Sequence, residues 1–145
     1  MTDLDAVRRL VDQDAGLAIV TSLRADGSPM SSLVNAGVLS HPDSAIDVVG
    51  FVSRGSSHKL GHLRGDPRVS VAFRAGWEWA TVDGAAEIIG PDDAPTDNLA
   101  SLLRAVFAAA GGTHDDWDTY DRVMREERRA AVLVNVERVY SNPGS

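Results

Sequence analysis

Between Gly16 and Arg54 the chain holds a two-residue period through three successive runs, separated only by short turn clusters, and this pattern restricts the fold most. Leu17, Ile19, Thr21 and Leu23 alternate with Ala18, Val20 and Ser22 until Asp26-Gly27 gives a tight hairpin signal. A second run extends from about Pro29 to Leu39 and meets the turn cluster His41-Pro42-Asp43-Ser44. The stretch "AIDVVGFVSR" is a third strand of β-branched and aromatic residues. Three sequential strands with short loops predict an antiparallel meander.

Helical spacing frames that meander. From Thr2 to Asp14, Leu4, Val7, Leu10 and Val11 fall on one face, and Thr2 with Asp5 resembles a capping box. The segment "SSHKLGHLRGDP" predicts a two-turn helix capped by Ser57, with Leu60 and Leu63 inward and Gly65-Asp66-Pro67 at its end. Arg68 to Ala75 alternates again, and Trp77 to Ile89 is a long strand in which Asp83-Gly84 reads as a bulge rather than a hairpin turn. From Thr96, the residues Leu99, Leu102, Leu103, Val106, Phe107 and Ala110 follow a helical repeat that stops at Gly111-Gly112. A further helix starts at a cap on Asp115 or Asp116 and places Trp117, Tyr120 and Met124 on one face, and "AAVLVNVERVY" is a last strand. Six strands with helices inserted late predict an α+β chain, mainly β: a six-stranded antiparallel closed barrel with flanking helices, as one domain over residues 1–145.

Composition narrows the chemistry. With 43% hydrophobic residues the chain holds an ordinary core, and no run approaches the roughly 20 apolar residues of a membrane helix. The acidic, amphipathic opening "MTDLDAVRRLVDQD" is unlike a signal peptide, so a cytoplasmic protein without a membrane partner is expected. The absence of cysteine removes disulfides and thiolate chemistry, and a net charge of -7 opposes nucleic-acid binding. No GxGxxG, phosphate loop, HExxH or GxSxG pattern is present. His58 and His62 are four apart, a spacing that suits two ligands on one metal, but nothing nearby suggests a third, and no metal site is expected. The pairs Asp92-Asp93, Asp115-Asp116 and Glu126-Glu127 sit at helix starts or on a polar face, where hydration explains them better than carboxylate catalysis.

One segment stands apart. In "FVSRGSSHKLGHLRGDPRVSV" a strand runs into Arg54, Gly55, Ser56, Ser57 and Lys59 at a helix start. Oriented backbone donors, two hydroxyls and two cations there form a ready anion site, although a solvated connection with ordinary caps fits the same residues. Trp77 and Trp79, two apart on a strand, would share a face suited to an aromatic ring system, with barrel core as the alternative. Arg125, Arg128 and Arg129 read as a solvated helix end, or as contacts for an anionic tail.

The hairpin "TSLRADGSPMSSLVN", the run "SSHKLGHLRGDPRVSV", the stretch "GWEWATVDGAAEI" and the tail "HDDWDTY...ERRAAVLVNVERVYSNPG" together resemble the flavin and deazaflavin split-barrel superfamily named after pyridoxamine 5'-phosphate oxidase, over Gly16 to Pro143. The last two look like the actinobacterial branch that uses coenzyme F420, while other relatives bind FMN or haem. The resemblance implies an FMN-binding split-barrel fold and a homodimer that holds its cofactor at the interface. Lys59 matches the lysine that binds the cofactor phosphate. Ser57 stands where a phosphate-binding arginine often sits, with Arg54 compensating from the preceding turn. Ser32, Val34 and Asn35 lie on the strand that in relatives runs beside the cofactor ring and side chain. The longer oxidases carry C-terminal substrate residues that have no counterpart at "VYSNPGS", so vitamin-B6 activity is not expected.

The implied function is an F420-dependent oxidoreductase that passes a hydride to a small, electron-poor organic substrate. An FMN-dependent enzyme on the same fold is the competing reading, and a non-catalytic flavin- or haem-binding module is the third. No residue of the sequence is an obvious proton donor.

Overall fold

The computed structural model describes residues 4–94 and 96–142. Its elements, in chain order, are α1 (Asp5–Gln13), β1 (Leu17–Leu23), β2 (Pro29–Ser40), β3 (Asp47–Ser53), α2 (His58–Gly65), β4 (Arg68–Ala75), β5 (Glu78–Ile89), α3 (Leu99–Ala109), α4 (Trp117–Glu126) and β6 (Ala130–Ser141). The six strands close into one antiparallel barrel in the order β1-β2-β3-β6-β5-β4, as the alternating runs predicted. The Thr2 cap proposed for the first helix lies outside the described residues.

Alternation fills the barrel. Val20, Val49, Phe51, Val71, Phe73, Val82, Val132 and Val134 are buried in one cluster inside it. Helix α1 seals the end where β1, β3 and β5 begin: Val7, Leu10 and Val11 join the core, while Arg8 and Arg9 reach Asp47 and Glu78 at 2.5 Å each. Helix α2 follows the far end of β3 and adds Leu60 and Leu63 to the same core. Its cap is the expected one, the Ser57 hydroxyl accepting from the Lys59 N–H at 3.2 Å.

Strand β3 and the first five residues of β6, Ala130 to Val134, are buried on both faces, which explains their unbroken apolar runs. Val48, Ala131 and Leu133 point outward beneath α3 and α4, where they pack with Leu102, Leu103, Val106 and Tyr120. Helix α3 can approach this closely because β2 presents Gly37, where a Cβ would stand 2.1 Å from the Ala109 carbonyl oxygen. The helix begins at Leu99, three residues later than the periodicity suggested, and α4 takes Asp116 as its cap, with Oδ1 accepting from Thr119 N–H at 3.1 Å. β5 passes through Asp83-Gly84 without a turn, and its register with β6 shifts there because Glu137 is left unpaired. The expected irregularity at Asp83-Gly84 is there in place of a hairpin turn, but its extra residue belongs to β6 rather than β5.

The two tryptophans require a correction. Strand β5 begins at Glu78, so Trp77 belongs to the β4–β5 turn after Gly76 and is 94% exposed. Trp79 alone sits on the strand, opposite Arg74 and edge-on to Tyr140 with ring centroids 6.1 Å apart. Neither residue forms the barrel core.

Candidate functional site

A cleft of about 560 Å³ opens where the β3–α2 turn, the outer side of β2 and helices α3 and α4 meet. Its two sides differ in chemistry. Arg54, Ser56, Ser57 and Lys59 line one side together with Arg129, which arrives from the α4–β6 connection. Val106, Phe107, Ala110, Tyr120 and Met124 line the other, and Leu33, Val34 and Asn35 form the edge along β2.

Close backbone docking assembles the cationic side. Gly55 N–H donates to the Glu127 carbonyl at 3.2 Å, and a Cβ on Gly55 would meet the Arg128 carbonyl oxygen at 2.7 Å, so only glycine permits the approach. Arg128 itself takes φ 49°, a left-handed conformation that turns the chain from α4 into β6. The Lys59 ammonium donates to the Ser57 hydroxyl at 3.2 Å. Burial, and secondarily the nearby Arg129 charge, pulls its pKa below the ordinary lysine value. Glu127 Oε1 accepts from Arg129 Nε at 2.8 Å and lies 2.8 Å from its Nη2, and Oε2 lies 3.6 Å from Arg54 Nη2. Those bonds from Arg129 hold the Glu127 carboxyl below its usual range.

The apolar side is cross-linked by its own contacts. The Tyr120 hydroxyl donates to the Leu103 carbonyl at 3.1 Å, and burial raises its pKa, so the phenol stays neutral. Phe107 packs on Tyr120 with centroids 5.0 Å apart. Arg104 fixes α3 to α4 through Asp121, at 3.0 and 2.5 Å, while lying 5.2 Å over the Trp117 ring.

Of the residues singled out from sequence, Val34, Asn35, Arg54, Ser57 and Lys59 converge on this cleft. Asn35 spends its amide N–H on the Ala15 carbonyl at 2.8 Å, which fixes its side chain against the start of β1. Ser32 is different: strand alternation turns it into the barrel, where its hydroxyl is buried without a hydrogen-bond partner among the described residues. Trp77 and Trp79 line a separate groove of about 900 Å³ with Leu17, Ile19 and Arg74, and Leu33 borders both spaces. Of the three arginines, Arg128 pairs with Asp92, Arg129 enters the cleft, and Arg125 lines a neighbouring groove that shares Met124 and Arg129 with it. The aromatic wall of Phe107 and Tyr120 and the Glu127 carboxylate went unrecognised, because helical periodicity shows that a face is buried without showing what it faces.

A charged pocket beside an apolar wall suits a ring system that carries phosphate. The family model described as pyridoxamine 5'-phosphate oxidase matches residues 4–142. A conserved hypothetical protein of Mycobacterium tuberculosis is similar in structure, with a TM-score of 0.68 and 19% identity over 97% of this chain and 84% of its own. A protein described as an F420 reductase has a TM-score of 0.62 and 13% identity, covering 92% of this chain and 94% of its own. A pyridoxamine 5'-phosphate oxidase-related, FMN-binding protein of Nostoc punctiforme has a TM-score of 0.66 and 12% identity, over 97% and 84%.

Proposed function

We propose that this chain, which belongs to the pyridoxamine 5'-phosphate oxidase family of flavin-binding proteins, is an oxidoreductase that works as a homodimer and takes coenzyme F420 in the cleft beside Lys59. The observation that carries this reading is the meeting of Arg54, Lys59 and Arg129 opposite the Phe107–Tyr120 wall. Among the described residues Glu127 is the one carboxylate paired with these three cations, so the pocket keeps a net positive charge on an acidic protein. A phosphate fits that charge, and a planar ring fits the apolar wall. When bound, reduced deazaflavin supplies a hydride for an electron-poor acceptor. The chain's own part is to hold the phosphate through Lys59, Arg54 and Arg129, to orient the ring between β2 and α3, and to exclude water with Val106, Phe107 and Met124.

Two features favour F420 over FMN. The groove at Arg125 joins the cleft at Met124 and Arg129 and offers cations to the carboxylates of the F420 tail, and a solved relative is described as an F420 reductase. The dimer rests on Leu17, Ile19, Leu33, Trp77, Trp79 and Tyr140, large apolar side chains exposed on the barrel wall. Because Leu33 borders both this face and the cleft, a second copy seated there would bring its own surface to the cofactor's open side.

Separate titrations with F420 and FMN at low salt test the reading. F420 binds more tightly, by a margin that shrinks as salt rises. Lys59→Ala removes a charge-assisted contact of about 1.5 to 3 kcal/mol and weakens F420 by roughly tenfold to a hundredfold. Equal or tighter FMN binding, with turnover by FMN alone, would make this an FMN enzyme instead.

A further inference from the structure

Glu127 occupies the donors that a bound phosphate needs. Arg129 turns its Nε and Nη2 edge onto Glu127 Oε1, both at 2.8 Å, and this is the edge a guanidinium uses to grip phosphate in a two-bond fork. The same carboxylate reaches toward Arg54 Nη2 with its other oxygen, at 3.6 Å. The Lys59 ammonium, by contrast, bonds the Ser57 hydroxyl and, among the described residues, no carboxylate.

Backbone and side chain of Glu127 differ in freedom. Its carbonyl is fixed by Gly55 N–H at the point where Gly55 and Arg128 leave no space for a Cβ. Its carboxylate is 32% exposed and, among the described residues, is held by the two guanidinium groups alone. The head group is therefore able to leave while the turn that carries Arg54 and Ser57 stays in place.

We infer that Glu127 is an internal competitor for the anion end of the cleft: its carboxylate holds Arg129 in the free protein and gives that arginine up when a phosphorylated ligand enters. This rests on the anion-site reading above and adds a specific device to it. The competitor keeps the guanidinium ordered between binding events and keeps ligand affinity low enough for exchange.

The test titrates FMN, coenzyme F420 and riboflavin, which lacks the phosphate, into the full chain and into folded variants checked by thermal unfolding. Glu127→Gln keeps the shape, removes the competing charge and tightens both phosphorylated ligands by on the order of tenfold at low salt. Riboflavin affinity stays unchanged. In an Arg129→Gln background the same substitution gains nothing, because the contested group is gone. Weaker binding of the phosphorylated ligands by Glu127→Gln would show a supporting strut, and a gain that survives Arg129→Gln would show a distant charge effect; either overturns the inference. Lys59→Ala run alongside separates the two levels. If it leaves FMN and F420 binding unchanged, the anion site fails and the inference falls with it, whereas weakened binding there with no response to Glu127→Gln removes the competitor alone.

Discussion

On the outside of β3 and β6, Val48, Ala131 and Leu133 lie sealed beneath α3 and α4, whereas on the outside of β1, β2 and β5 the side chains of Leu17, Ile19, Leu33 and Trp79 meet water. The same barrel thus carries one wall covered by its own helices and one left bare, with Leu33 63% and Ile19 43% exposed. Closing a barrel removes strand edges but gives its outward apolar residues no cover. Where the chain inserts two helices between β5 and β6, the cover is intramolecular and builds the apolar side of the cleft. Where no insertion falls, cover would come from the second copy proposed above, and the two walls make opposite predictions about what a truncation disturbs.

The largest effect is expected on the covered wall. Leu103→Ala empties a buried position between α3 and the barrel and lowers unfolding free energy by about 2 to 5 kcal/mol in urea titrations. A change under 1 kcal/mol would mean that α3 and α4 ride on the barrel without stabilising it. On the bare wall the response moves to assembly. Trp79→Ala weakens dimerisation by about 2 kcal/mol, roughly thirtyfold in the dissociation constant by sedimentation, and leaves the circular dichroism of the fold intact. An unchanged dimer, or a monomeric wild type at micromolar concentration, would remove the asymmetry between the walls.

The covered and bare walls were unequally legible from sequence. Strand β6 was legible as a strand through "AAVLVNVERVY", and α3 as a helix through its apolar spacing, because both signals are local. The Ser57 cap and the bulge at Asp83-Gly84 were readable for the same reason. Trp77 was misplaced because Gly76, at φ 61°, extends the turn by one residue, and alternation carries no information about where a strand starts. Ser32 was assigned by analogy along a strand, yet its parity matches Ala36, which faces the barrel core. Arg129 was legible only as one of three arginines at a helix end and Glu127 only as a hydrated carboxylate, since their meeting beside Arg54 depends on Gly55 meeting Arg128 from a distant part of the chain.

The smallest expected effect lies at the polar end of the bare wall, where Asp83 accepts from Ser70 Oγ at 2.6 Å, from Arg138 at 2.7 and 3.1 Å, and from the Tyr140 hydroxyl at 3.3 Å. Burial alone would raise this carboxyl, but the bonds from Ser70 and Arg138 outweigh it and hold the pKa below the ordinary aspartate value. A carboxyl depressed in the folded state contributes stability above its unfolded pKa of about 3.9 and loses that contribution as pH falls through the folded value. Urea unfolding of the wild type should therefore show a decline below about pH 4 to which Asp83 contributes on the order of 1 kcal/mol. Asp83→Asn cannot titrate, so its stability is lower at neutral pH and the gap to wild type narrows as the medium is acidified. Because these groups sit on the bare wall rather than under the helices, the same substitution leaves the packing of α3 and α4 untouched, and parallel pH profiles for the two proteins would show that the Asp83 cluster adds nothing to the fold.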